Sequence, residues 1–125
     1  MHTGKRILIV DDSKTMTAIV FRILKDANYA DIDWVHDGAS ALATLRQKEY
    51  DLVITDSQMQ PISGVELTKL IRADARLSKV RIILIGLFDR PLDGADAYVT
   101  KPFEPRDLKE TVADVLSTVA QLVSG

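Results

Sequence analysis

With 125 residues, 46% of them hydrophobic and 27% charged, the chain is long enough to bury one core without staples and too short for two full domains. The formal charge is -2, from 16 basic and 18 acidic residues scattered along the chain, which leaves no basic stripe for nucleic acid; with no cysteine there is neither a disulfide framework nor a thiolate metal site. No apolar run is long enough to span a bilayer and the first residues, MHTGKR, form no apolar signal segment, so the expectation is a soluble, cytoplasmic protein with no membrane partner.

Residues 7–10 (ILIV) are apolar at every position, as in a strand covered on both faces. Ser13 can cap the helix that follows, where Met16, Ile19, Val20, Ile23 and Leu24 recur at three- and four-residue steps. Residues 31–35 predict a second, more polar strand at a sheet edge, with Trp34 packing in the core or at that edge. Asp37 and Gly38 turn the chain into a helix whose Ala41, Leu42 and Leu45 face inward. His36 has no second histidine nearby in sequence and reads as structural or solvated. Residues 52–55 are the third strand; Pro61 and Gly64 punctuate a loop before a helix carrying Leu67, Leu70 and Ile71. Residues 80–85 and 97–100 are the fourth and fifth strands. Pro105 opens a last helix with Leu108, Val112, Val115, Leu116 and Val119 on one stripe. Strands alternating with helices predict an α/β protein, a doubly wound parallel sheet in the order 2-1-3-4-5, as one domain over residues 1–125.

The crossing from strand four to strand five is short. Residues 87–95 number nine, with Pro91 and Gly94 interrupting any helix, whereas a crossover containing a helix needs at least about 10 to 12 residues. Nine extended residues still reach about 30 Å, further than a strand of about 17 to 20 Å, so a loop suffices. The fourth helix is therefore expected to be absent or reduced to a turn. One face of strands four and five would lose its cover, leaving some of Ile83, Ile85, Phe88 and Val99 as an apolar patch for a partner or for a homodimer.

In such a sheet the ligand site lies beyond the carboxyl ends of the strands. Asp11 and Asp12 follow strand one, Asp56 follows strand three and Lys101 follows strand five, so one edge collects three carboxylates and one ammonium. Converging carboxylates repel and call for a cation, and a hard divalent ion such as magnesium suits carboxylate and carbonyl oxygen. A carboxylate can also act as the nucleophile that accepts a phosphoryl group.

The segments ILIVDDS, HDGASAL, DLVITDSQM and AYVTKPF resemble, in order and spacing, the signatures of response-regulator receiver domains of two-component signalling. The resemblance covers nearly the whole chain. It implies a flavodoxin-like (βα)5 fold with Asp56 as phosphoacceptor. It further implies Mg2+ held by the acidic pair Asp11 and Asp12, by Asp56 and by the backbone carbonyl of Gln58, with Lys101 contacting the phosphoryl group. Receivers take that group from a histidine kinase or a histidine phosphotransfer protein, and many hydrolyse it themselves; the chain is thus expected to be a phosphoacceptor, not a conventional enzyme. The Lys101–Pro102 bond is expected to be cis, as is usual in the family.

Two departures stand out. Gly86 occupies the place where the family ends strand four in a Thr or Ser, so the hydroxyl that partners the aromatic switch residue, here Tyr98, is missing. The Met-Pro step after the phosphoacceptor reads Met59-Gln60, with proline displaced to Pro61. The leading reading is a stand-alone phosphoacceptor acting through protein contacts on a downstream target. The alternative is a pseudo-receiver, an interaction module independent of phosphorylation, favoured by Gly86 and the missing helix and opposed by the intact Asp11, Asp12, Asp56 and Lys101. A magnesium-dependent phosphohydrolase with Asp11 as nucleophile is opposed by DDSKT, which lacks an alternating Asp-x-Asp.

Overall fold

The computed structural model describes residues 4–87 and 94–124, with side chains through Ser117. Its elements are β1 (Arg6–Val10), α1 (Lys14–Asp26), β2 (Asp31–Val35), α2 (Gly38–Gln47), β3 (Leu52–Asp56), α3 (Gly64–Ala73), β4 (Arg81–Gly86), β5 (Ala97–Thr100) and α4 (Pro105–Ser124). The five strands pair in parallel in the order β2-β1-β3-β4-β5, so the predicted α/β class and strand order hold. Boundaries differ by single residues, as helix and strand ends commonly do: β1 gains Arg6, β3 gains Asp56, and β4 is displaced one residue along.

Successive strand residues point to opposite faces. Ile7, Ile9, Ile54 and Ile83 face α1 and α4 in one buried cluster, while Leu8, Val10, Val53 and Ile82 face Ala41 and Leu45 of α2 and Leu67 and Ile71 of α3 in the other. Full burial of an Ile or Leu side chain contributes roughly 1.5 to 3 kcal/mol, so these two layers supply most of the driving force. Three helices start in hydrogen bonds made by the residue that ends the preceding loop: Ser13 accepts from Met16 N (3.1 Å), Asp37 from Ser40 N (2.7 Å) and Ser63 from Glu66 N (3.0 Å). Each such cap is worth about 1 kcal/mol. Together they set where the chain turns at the carboxyl edge of the sheet. No helix among the described residues is long and apolar enough to cross a membrane.

Two apolar residues are less buried than their stripes predict. Ile19 is 44% exposed and Leu70 45% exposed, because Val20 and Leu24, Leu67 and Ile71 occupy the centres of the inward stripes and leave these two at the rims. Trp34, on the edge strand β2, is half exposed and meets Phe21 of α1 edge to face, with ring centroids 5.4 Å apart.

No helix lies between β4 and β5 among the described residues; residues 88–93, where the missing or single-turn fourth helix was expected, lie outside them. The end of the crossing is anchored on α3. Arg72 Nε donates to Gly94 O (2.7 Å), its Nη1 to Ser78 O (2.9 Å) and Val80 O (2.6 Å), and its Nη2 to Asp96 Oδ2 (2.8 Å). Asp96 also accepts from Ile82 N (2.8 Å) and pairs with Arg81 (3.3 Å). The end of the crossing, at Gly94 and Asp96, is thus held on the α3 side of the sheet. That corrects the expected apolar patch: Ile83, Ile85 and Val99 are 0%, 2% and 4% exposed, because they face the opposite side and pack under α1 and α4. The alternate residues Ile82, Leu84 and Tyr98 point to the other face; the first two are fully buried and Tyr98 is half-buried. Phe88, the fourth member of the expected patch, lies outside the described residues.

At the amino ends of the strands Tyr50 donates its hydroxyl hydrogen to Asp33, which also pairs with Lys48 (2.9 Å). The Tyr50 hydroxyl, and then Lys48, hold the Asp33 carboxyl below its usual range; burial, and then Asp33, push the Tyr50 phenol well above its own. The Asp33 contribution is therefore present above about pH 4 and lost as pH falls, and the Tyr50 contribution is present below about pH 10 and lost as pH rises. Tyr50→Phe is expected to cost about 1 kcal/mol near neutrality and progressively less beyond either limit, which urea unfolding at acid, neutral and alkaline pH measures.

Candidate functional site

The carboxyl edge of the sheet gathers the polar residues. Asp11 follows β1 directly, Asp56 closes β3, Gly86 closes β4 and Lys101 follows β5. One carboxylate oxygen from each of Asp11, Asp12 and Asp56 lies within 4.8 Å of the others. Lys101 Nζ donates to Asp56 Oδ1 at 2.7 Å. Asp11 and Asp56 are 4% and 8% exposed, whereas Asp12 is open to solvent.

Backbone geometry holds it in place. Asp11 N donates to Val35 O (3.2 Å), and Ser13 N donates to Asp11 Oδ1 (2.8 Å). Ser57 N donates to Ile85 O (2.8 Å) and Lys101 N to Gly86 O (2.9 Å), so β4 ties the residue after Asp56 and the lysine to a common rim. The Lys101–Pro102 peptide is cis as expected, and so is Gln60–Pro61.

Burial pushes the Asp11 carboxyl above its usual range; the Ser13 N–H opposes this, the Asp56 charge reinforces it and Lys101 opposes it again. Three carboxylates against one ammonium leave net negative charge in a partly dry pocket. The donor set is all hard oxygen, and a divalent cation would relieve both the repulsion and the desolvation, so these residues fit magnesium.

The chain between residues 7 and 113 matches the family model described as the response regulator receiver domain. The chain is a response-regulator receiver domain. The receiver is 33% identical over 117 residues to the chemotaxis protein CheY-3 of Vibrio cholerae, covering 88% of this chain and 90% of that protein. It is 31% identical over 121 residues to the chemotaxis protein CheY of Pseudomonas aeruginosa, covering 91% and 98%. Among solved structures it resembles the chemotaxis response regulator CheY4 of Vibrio cholerae, with TM-score 0.83, 30% identity and coverage of 91% and 100%. It also resembles the signal receiver domain of a signal transduction histidine kinase from Syntrophus aciditrophicus, with TM-score 0.84, 30% identity and coverage of 93% and 92%. These matches place the receiver in two-component signalling.

The other expected site residues fall as follows in the receiver. Gln58 is exposed at the start of the loop after β3, two residues past Asp56. Gly86 is buried and pairs with Thr100, offering no side-chain donor; Tyr98 lies half-buried on β5 opposite Leu84. Two residues that sequence reasoning passed over belong to the site. Gly64, read only as loop punctuation, packs its Cα against the Asp56 carbonyl, and its N donates to Ser57 O (3.0 Å). His36, read as structural or solvated, places Nδ1 2.9 Å from Asp11 O.

An apolar groove of about 520 Å3 adjoins the acidic cluster. Met16, Ile19 and Ile23 of α1 form one wall, and Leu87 with Pro102, Phe103 and Pro105 the other, Lys101 closing the end.

Proposed function

We propose that this receiver accepts a phosphoryl group on Asp56 from the phosphohistidine of a kinase or phosphotransfer protein and relays the signal through protein contacts. The observation that carries the reading is Lys101 Nζ 2.7 Å from Asp56 Oδ1, beside Asp11 and Asp12. In the transfer, an Asp56 oxygen forms a bond to phosphorus as the phosphorus–nitrogen bond breaks, and the electron pair stays on the imidazole, which takes up a proton from water. The product is an acyl phosphate. Lys101 supplies one positive charge next to the acceptor oxygen and lies within reach of the group that arrives there. Asp11, Asp12, Asp56 and the Gln58 carbonyl are the groups that would hold magnesium, which supplies further positive charge toward the phosphoryl oxygens.

The groove beside Lys101 is where a protein donor fits, since any donor histidine has to approach Asp56 past it. Ile19→Glu puts a charge on that wall at an already exposed position and is expected to slow transfer from a protein donor about tenfold or more. Labelling by a small acyl phosphate should not change, because it needs no groove. Equal slowing of both would remove the groove from the reading.

The two CheY relatives, matched over 90% and 98% of their own length, are one model for how this receiver relays its signal; a receiver belonging to a kinase, as in the Syntrophus aciditrophicus protein, is the contrasting arrangement. A cytoplasmic location belongs to the same reading. Gly86, with no hydroxyl to draw toward a phosphoryl oxygen, favours the second reading of a phosphate-independent interaction module. Incubation with a small phosphodonor and magnesium, followed by intact-mass measurement and peptide mapping, separates the two. A magnesium-dependent phosphoryl adduct on Asp56 supports the first; none, even with a cognate kinase, supports the second.

A further inference from the structure

We infer that His36 is a positioning residue that orients the acidic pair for its cation, an inference that rests on the magnesium and phosphoacceptor reading of the same site. His36 stands between β2 and α2, half-buried, and its Nδ1 lies 2.9 Å from the backbone carbonyl oxygen of Asp11. A carbonyl oxygen only accepts, so Nδ1 carries the hydrogen and His36 is the donor. The neighbouring residue completes the grip: Val35 O accepts from Asp11 N at 3.2 Å. Adjacent residues of the β2 end thus hold both backbone polar groups of Asp11.

The one other described side chain that reaches the Asp11 carbonyl, Thr17, holds it more weakly. The Thr17 hydroxyl is 3.5 Å from it, but the same hydroxyl is 2.9 Å from Ser13 O. Its single hydrogen goes to the nearer oxygen, and 3.5 Å is too long for a hydroxyl donor to contribute much. The orientation of the peptide joining Asp11 to Asp12 therefore depends on His36. Asp12 is exposed and makes no side-chain hydrogen bond or ion pair among the described residues, so only its backbone directs its carboxylate toward Asp11 and Asp56. Releasing that peptide lets Asp12 swing away from the other two ligands. His36 acts through Asp11 and Asp12 without touching the reacting atoms, in the manner of groups that orient metal ligands from outside.

The test compares wild type, His36→Phe and His36→Asn. Phe keeps the ring and removes the donor; the Asn amide restores a donor at the position of Nδ1. Titration with magnesium chloride by calorimetry is expected to show about tenfold weaker binding for His36→Phe and binding within about twofold of wild type for His36→Asn. Amide exchange at Asp12 and Ser13 should quicken in His36→Phe alone, while all three proteins keep the wild-type circular dichroism spectrum at the temperature of the titration. Labelling of His36→Phe by a small phosphodonor should be slow at low magnesium and recover at saturation. Wild-type magnesium affinity in His36→Phe, or a His36→Asn as weak as His36→Phe, overturns the inference. If the wild type binds magnesium but takes no phosphoryl group, the phosphoacceptor reading falls while the calorimetric comparison still decides the role of His36. A wild type that binds no magnesium overturns both.

Discussion

Asp56→Asn is expected to take up no phosphoryl group under conditions that label the wild type, because a neutral amide is too weak a nucleophile to displace the donor's leaving group. Intact mass reads this directly, and a labelled Asn variant would move the acceptor elsewhere. A second readout tests the electrostatics of the cluster. Burial is the main cause of the raised Asp11 pKa, and the Asp56 charge adds to it. Removing that charge also frees Lys101 from its 2.7 Å pair, so both changes should bring the Asp11 carboxyl down toward, though not to, its ordinary range. Carboxyl-carbon NMR across an acid titration measures the shift. Because the Asp11 pKa is raised on folding, wild-type stability is highest, as far as this group goes, below about pH 4 and is lost as pH rises through the folded value. The variant should lose less over that window.

Gly64→Ala is expected to destabilise the protein by about 3 kcal/mol and lower its melting temperature by about 10 °C or more. A Cβ at this position would stand 1.9 Å from Asp56 O, 2.8 Å from the Asp56 carbonyl carbon and 2.9 Å from Ser57 Cα. All three atoms are backbone, so no side chain can move aside. The loop after β3 has to shift, and the phosphoacceptor shifts with it, so labelling should fall as well. Gly38 offers the contrast: its Cβ would meet Ile62 Cβ at 2.9 Å and Cγ2 at 3.0 Å, atoms of a side chain that is only partly buried. Gly38→Ala should cost about 1 kcal/mol. Wild-type melting of Gly64→Ala, measured by circular dichroism, would show that the two segments are less closely packed than the distances require.

Why did the fold and the acidic cluster read so directly while other parts did not? Apolar runs such as ILIV, and helical stripes such as Val20 with Leu24, reflect local periodicity, which survives whatever the chain does elsewhere. Once the strands are in order, a topological rule alone brings Asp11, Asp56 and Lys101 to one edge. The facing of Ile83, Ile85 and Val99 is a different kind of fact. Alternation says that they share a face, but not that this face lies under α1 and α4, and that placement turned the expected patch into core. His36 was read as structural or solvated, but which group it holds could not be read, because its partner is a backbone carbonyl 25 residues away, which has no signature in residue type. The same holds for Gly64, whose need to lack a side chain comes from the path of the loop after Asp56.

Arg72 has a consequence of its own. The described part of the crossing is fastened to α3 by the Arg72 guanidinium and the Asp96 carboxylate, both about a quarter exposed. Such a partly buried ion pair weakens, though less than an exposed one, as the Debye length shrinks to about 8 Å at physiological ionic strength and about 3 Å at 1 M. The coupling of helix three to the chain entering strand five is thus one place in this molecule that the ionic medium can loosen.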